Sequence, residues 1–270
     1  MGIGTGTMAR RRNSNRRRRR GSTGFLYKLL STLAICACLV VALTLFFRVD
    51  TIVVTGAERY SEQEILDATG IEQGDNLYLM NKNEVAGRMV TELPYLRSVR
   101  INRKLPDTLL IEVEECSTPL AVIQDGYAWL VSPGDRAGGK IKIVEQLEAS
   151  AAGDYGVIDG CALLAPTVGG QLALATEYVS QQESLVALLL ALESEGMLDQ
   201  VDAIHLGDLS TLSMDYAGRF TVEMTYGADY GYKLRALAAT LARDEIQDNM
   251  TGTFDMRRDD GRVNFIQNVR

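Results

Sequence analysis

From Phe25 to Phe47 the chain is apolar almost without a break, and its uncharged part, Leu29 to Phe47, runs 19 residues. Coiled at about 1.5 Å per residue, that part is roughly 28 Å long, close to the roughly 30 Å hydrocarbon layer of a bilayer. A transmembrane helix is expected over 25–47. Beyond it the apolar positions become periodic. Val49 to Val54 is a β-branched run that reads as a strand, ended by Thr55-Gly56. Two helix starts follow. Ser61 with Glu64 has the spacing of a capping box, with Tyr60 and Ile65 at the hydrophobic-staple positions. Asn81 with Glu84 repeats it, with Met80 and Val85 as staple. Val85, Met89 and Leu93 then mark one helical face that Pro94 closes. After Pro94 the period drops to two: Val99 and Ile101, then Leu109, Ile111 and Val113, with a turn at Leu105-Pro106-Asp107 between them. The order strand, helix, helix, strand, strand predicts an α+β sheet with helices on one face. A hairpin, Leu120 to Gln124 and Tyr127 to Ser132, turns at Asp125-Gly126.

The stretch 133–156 is rich in glycine, with only Ile141, Ile143 and Val144 as a short strand signal, and reads as a loop-rich connection. A helix is expected over Leu172 to Glu195, with Val179, Leu185, Leu188, Leu189 and Leu192 inward and Gly196 as its stop. Three strands follow, Val201 to Leu206, Thr211 to Tyr216 and Arg219 to Tyr226. A helix over about Tyr230 to Asp248 would cover them through Tyr230, Leu234, Leu237 and Leu241. Thr253 to Arg257 and Arg262 to Val269 close the chain as strands around a turn at Asp259-Asp260-Gly261. The expected organisation is a basic tail over 1–24, a membrane helix over 25–47, one α+β domain over 48–116 and a second, mixed β/α domain with an antiparallel sheet over 117–270.

Charge orients this plan. Nine basic residues precede or open the apolar run with no acid among them, including Arg16, Arg17, Arg18, Arg19 and Arg20, and such a flank stays on the cytoplasmic side. From Asp50 onward stand all 35 acids and 18 of the 28 Lys and Arg, a formal charge of −17 that the whole-chain value of −7 conceals. An anchor with its N-terminus inside and its domains outside is expected. A cleaved signal peptide would have a shorter apolar region and a small-residue cleavage site, whereas this run ends Leu45-Phe46-Phe47-Arg48. Beside a membrane span the arginines read as a topology signal and a lipid contact rather than a nucleic-acid site. Cys36 and Cys38 lie in the span. Cys116 and Cys161 lie outside it, and their spacing specifies no disulfide, so none is expected.

No assembled chemistry is legible. A single histidine, His205, sits in an expected strand, which excludes two-histidine metal motifs and any triad not built on it. No serine is followed three positions later by lysine. The acid pairs Glu114-Glu115 and Asp259-Asp260 fall at a strand end and a turn, where neighbouring carboxylates do not converge. Neither catalytic residues, nor a metal, nor a cofactor is expected. Binding is the remaining use of such a chain. The last strand, Arg262 to Asn268, can lend unpaired backbone groups to a partner strand, with Val263 and Phe265 as side-chain anchors and Arg258 and Gly261 where the strand begins. A frayed terminus is the competing reading.

Several stretches carry a resemblance: Phe47 to Gly56, Gly74-Asp75-Asn76-Leu77, Leu93-Pro94-Tyr95-Leu96 and Arg103 to Glu115. More loosely, so do Val157 to Gly160, Gly227 with Tyr232-Lys233-Leu234, and Gly252 to Arg257. Together, and directly after one membrane span, they resemble the FtsQ/DivIB family of bacterial cell-division proteins, whose first extracytoplasmic unit is a POTRA domain. Cys116 and Ser132 depart from residues usual in that family. The resemblance implies a non-enzymatic scaffold at the division septum. It also implies FtsL-like and FtsB/DivIC-like bitopic proteins as partners and, through them, the septal peptidoglycan synthase. The alternative is a POTRA-type chaperone or docking module in translocation or envelope assembly, which matches in fold only.

Overall fold

The structure is a computed structural model that describes residues 23–116, 118–134, 140–243, 245–247, 249–258 and 262–268. The expected cytoplasmic tail with Arg16 to Arg20 therefore lies outside the described residues. Helix α1, Thr23–Phe46, takes in nearly all of the apolar run, and Gly24–Ala42 within it is long and apolar enough to cross a membrane. Its Phe25, Leu29, Leu33 and Val40 are exposed. A helix apolar on every side suits lipid rather than water.

Arg48 to Arg270 forms a separate unit with two sheets. The first is built from β1 (Thr51–Thr55), α2 (Glu62–Thr69), α3 (Lys82–Glu92), β2 (Leu96–Lys104) and β3 (Thr108–Glu115), in strand order β1-β3-β2. Leu109, Ile111 and Val113 of the central strand are buried together with Ile65, Val85 and Met89 of the two helices. The opposite face is polar: Asn102 donates to Glu112 at 3.1 Å and Ser98 to Glu114 at 2.9 Å. The capping box forms, with the Ser61 amide 2.8 Å from Glu64 Oε2 and the Glu64 amide 3.3 Å from Ser61 Oγ. At Asn81 only the Asx cap forms, accepting from Asn83 N at 3.2 Å. Glu115, expected as solvated charge, accepts the amides of Glu58, Arg59 and Tyr60 at 3.2, 2.8 and 3.2 Å, and so ties the start of α2 to the end of β3.

The second sheet holds nine strands in the order β12-β11-β10-β9-β8-β7-β4-β5-β6. In chain order they begin with the hairpin β4 (Leu120–Gln124) and β5 (Tyr127–Pro133), then β6 (Ile141–Glu148) and β7 (Val157–Asp159). Helix α4 (Val179–Ser194) leads to the meander β8 (Val201–His205), β9 (Thr211–Tyr216) and β10 (Phe220–Thr225). Helix α5 (Tyr230–Leu241) leads to β11 (Gly252–Asp255) and β12 (Asn264–Gln267). The sheet is mixed, because β4–β7, β7–β8 and β10–β11 pair in parallel. A parallel pair needs a crossover, and α4 and α5 are the crossovers of the last two. They bury Leu185, Leu188, Leu189 and Leu192, and Tyr230, Leu234 and Leu237, in one apolar core over the sheet.

Four expectations change. The connection over 133–156, expected as a loop with a short strand at Ile141 to Val144, contains there a longer strand, β6, which pairs with β5 over Tyr127 to Pro133. Its alternation was hidden because Lys142 is itself buried, donating to the carbonyl of Leu96. Helix α4 starts at Val179, not Leu172; Leu172 and Leu174 are buried in extended chain, the Leu172 amide bonding Ile141 O at 2.9 Å. Val179, expected inward, is exposed at the helix start. Helix α5 stops at Leu241, seven residues before the expected Asp248. The turn at 259–261 lies outside the described residues.

Polar bonds join the two sheets where β2 begins. Arg97, in β2, pairs with Glu193 of α4, both largely buried. Tyr95 donates to Glu145 of β6 and lies under the Arg59 guanidinium, 3.7 Å from the ring centre. Burial and the bond to Glu145 push the Tyr95 hydroxyl pKa far up, outweighing Arg59, so it stays a donor. On the open face of the large sheet His205 bridges three strands, its Nδ1 2.8 Å from Asp159 and its Nε2 3.2 Å from Asp215. Burial lowers its pKa, but hydrogen bonds to Asp215 and Asp159 and their charges outweigh this, and the net shift is upward.

Two outcomes follow from these contacts. Glu193→Ala leaves the largely buried Arg97 with only the exposed Glu114 carboxylate at 3.9 Å and should cost about 3 kcal/mol in denaturant unfolding, whereas Arg97→Met combined with Glu193→Leu should recover most of that. For His205 the folded pKa is raised. Its contribution is therefore complete below the unfolded value of about 6.5 and is lost as pH rises through the folded value. The melting temperature of the parent should fall across that window relative to His205→Gln, and parallel curves for the two proteins would contradict the bridge.

Candidate functional site

The outer border of the nine-stranded sheet is β12, which pairs with β11 alone. Its register sets Thr253 opposite Ile266 and Asp255 opposite Asn264, and the Asn268 amide bonds Thr251 O at 2.9 Å. Antiparallel bonding alternates along a strand, so Asn264, Ile266 and Asn268 turn their backbone groups to β11. Phe265 and Gln267 turn theirs outward. Beside α5 these outward groups form a short open border.

Side chains hold β12 in place. The Phe265 ring centre lies 4.8 Å from that of Phe254 and 6.1 Å from that of Phe220, so this residue, expected as a side-chain anchor for a partner, packs into the sheet's own aromatic cluster. Val263 is half-buried against the same core. Gly252 permits the close approach: a Cβ there would come 2.4 Å from Ile266 O and 2.7 Å from the Phe265 ring. Arg258 is exposed and Gly261 lies outside the described residues. The side chain free to meet a partner is Ile266, which the sequence reading passed over although it alternates with Phe265.

Next to the start of β12 lies a cavity of about 210 Å³ lined by Asp229, Tyr232, Lys233, Met256, Arg258 and Arg262, among others. Asp229 caps α5, its Oδ1 accepting from Tyr232 N at 2.9 Å, which leaves the Tyr232 ring half exposed at the cavity mouth. Lys233, buried in the first turn of α5, donates to Met256 O at 2.6 Å and Arg258 O at 3.1 Å and so fixes the chain leaving β11. Between Met256 and Arg258 in the chain, Arg257 is not part of the lining and spans Asp255 at 2.8 Å and Glu223 at 3.4 Å. The hydrogen bond from Arg257 holds the Asp255 carboxyl down at about 2. In the sequence Tyr232 and Lys233 stand out as helix residues that share in the family resemblance, not as site residues. Their place at the mouth depends on α5 stopping beside β11.

Among the described residues no three His, Cys, Asp or Glu side chains gather in a way that could hold a metal ion. Cys116 and Cys161 are half-buried free thiols, both with pKa raised by burial, Cys161 to about 11, which keeps them protonated and poor nucleophiles. The arrangement offers strand pairing and a neighbouring side-chain cavity.

Comparison with known proteins bears on both sheets. Residues 47–115 match the family model described as POTRA domain, FtsQ-type. A cell division protein FtsQ of Corynebacterium glutamicum is 40% identical over 68 residues, 25% of this chain and 30% of that protein's length. An FtsQ of Geotalea daltonii is 26% identical over 200 residues, 74% of this chain and 68% of that protein, and a DivIB of Clostridium botulinum is 22% identical over 223 residues, 82% and 83% of the two. The family model falls on the small sheet, while likenesses of 200 and 223 residues extend into the large one. Residues 47–115 are thus a POTRA domain of the FtsQ type, and along most of its length the chain is similar to the FtsQ and DivIB proteins of bacterial cell division.

Proposed function

We propose that this chain is a non-enzymatic scaffold of the division septum, anchored by α1 with its N-terminus in the cytoplasm and Arg48 to Arg270 outside. In this reading an extended segment of an FtsB/DivIC-like or FtsL-like protein adds to the sheet as a tenth strand beside β12. The complex then helps recruit or regulate the septal peptidoglycan synthase. The observation that carries the reading is the open border of β12, with the backbone groups of Phe265 and Gln267 facing outward. Backbone pairing supplies affinity in such recognition, and alternate side chains supply specificity. The cavity by Tyr232 and the exposed Ile266 lie on opposite faces of the border, so successive residues of the incoming strand would meet one and then the other. The arginines of the tail would hold the orientation, and the small sheet over 48–116 would serve as the membrane-proximal docking domain.

Proline tests the border because it removes one N–H without otherwise altering an edge strand. Gln267→Pro deletes an outward donor and should weaken capture of the FtsB/DivIC-like ectodomain by about tenfold or more, with little change in melting temperature. Ile266→Pro deletes a donor to β11 and should lower stability. Full binding by a folded Gln267→Pro protein would contradict strand addition. In cells, depletion should give filaments with a normal complement of envelope proteins, while loss of outer-membrane proteins without filamentation would favour the translocation reading.

A further inference from the structure

The small sheet exposes a group of large apolar side chains at one end. Because β1 and β3 run parallel, the start of β1, the start of β3 and the end of β2 share that end: Thr51 faces Thr108, and Thr108 faces Lys104. The turn at 105–107 lies there, with Asp107 O accepting the Asp50 amide at 2.9 Å. So does the loop 74–80, where Val49 N bonds Asp75 O at 2.8 Å and Gly74 N bonds Val49 O at 2.8 Å. The loop is shaped by Asn76, whose side chain accepts from Tyr78 N at 2.9 Å and Leu79 N at 3.2 Å. That turn sends Leu77 into the core and Tyr78 and Leu79 outward. Arg103 secures it by donating to Met80 O at 3.0 Å. The result is a fixed tip on which Leu79 is 79% exposed, Tyr78 52% and Leu105 51%.

The chain itself says what lies near this tip. Helix α1 ends at Phe46, and Val49 is already buried and bonded in the loop. Three residues reach at most about 10 Å. We propose that Tyr78, Leu79 and Leu105 seat in the interfacial layer of the bilayer from which the chain emerges, so that the small sheet rests on lipid as well as hanging from α1. Tyrosine is suited to that layer, where its ring is buried and its hydroxyl stays wet. The charges around the tip balance, Arg48, Arg103 and Lys104 against Asp50, Asp75 and Asp107, so the contact is with the apolar part of any lipid rather than with anionic headgroups. This depends on α1 crossing a membrane and not on what β12 binds.

Fluorescence of the full-length chain in phosphatidylcholine nanodiscs tests it. Trp129 is the chain's only tryptophan, so Trp129→Phe gives a silent background for Leu79→Trp and, independently, Leu105→Trp. The control is Glu62→Trp, which lies beyond the far end of β3, about 23 Å away along seven residues of strand. Incorporation into the discs reports on α1 separately. With lipids brominated high on the acyl chain, both tip reporters should be blue-shifted and lose most of their emission while the control keeps its own, and added anionic lipid should change neither. Tip reporters that are as bright in brominated as in ordinary lipid would overturn the proposal. Quenching confined to anionic discs, or seen only after a partner protein is added, would overturn it too.

Discussion

A sheet that does not close on itself must stop, and the strand at which it stops carries backbone donors and acceptors with no strand to meet them. In this chain the large sheet stops at β6, where the segment 169–172 bonds Ile141 and Ile143, and at β12, which pairs with β11 alone. Parallel pairing of β10 with β11 requires the crossover helix α5, and α5 brings the chain back to the border of the sheet only for the last two strands. The Phe220, Phe254 and Phe265 cluster and the bare backbone of Gly252 then hold β12 close to β11. The same aromatic ring that might have met a partner is used to keep the border in register. What β12 presents outward is therefore mostly backbone, which suits recognition of a strand rather than of a particular side chain.

The two sheets of the unit from Arg48 to Arg270 are joined by a different kind of contact. Arg97 with Glu193 and the buried Lys142 with Leu96 O are polar bonds with little access to water, and Tyr95 adds a bond to the partly exposed Glu145. Their formation adds little net stability because each charge must first leave water, but breaking one partner out is costly. Such bonds set the small sheet in one arrangement against the large one. With the tip near Val49 on lipid, that arrangement would hold β12 at a defined place relative to the membrane, which a partner that is itself bitopic would need.

Much of this was legible in the sequence, for local reasons. The capping box at Ser61 and Glu64, the hairpin turn at Asp125-Gly126 and the alternation of Phe220, Val222 and Met224 are encoded within a few residues, and all three appear in the structure. What was illegible depended on partners far along the chain. Strand β6 reads as only a short strand around Ile141 to Val144, because Lys142 breaks its apolar run and nothing nearby says that Lys142 bonds a carbonyl 46 residues away. Leu172 and Leu174 fit a helical face as well as a strand, and only the bond to Ile141 O decides between them. His205 stands in its expected strand, but the carboxylates on either side of it come from two other strands. At the candidate site the border itself was foreseen, Phe265 turned out to face the core, and Ile266 and Tyr232 emerged only with the fold.

Amide hydrogen exchange at two residues tests the account most directly. In the chain alone, Phe265 and Gln267 should exchange quickly while Ile266, bonded to β11, exchanges slowly. On adding the FtsB/DivIC-like ectodomain from the same organism, Phe265 and Gln267 should become protected together. Binding that leaves both amides exchanging as before, with protection instead along β1 of the small sheet, would contradict strand addition at β12.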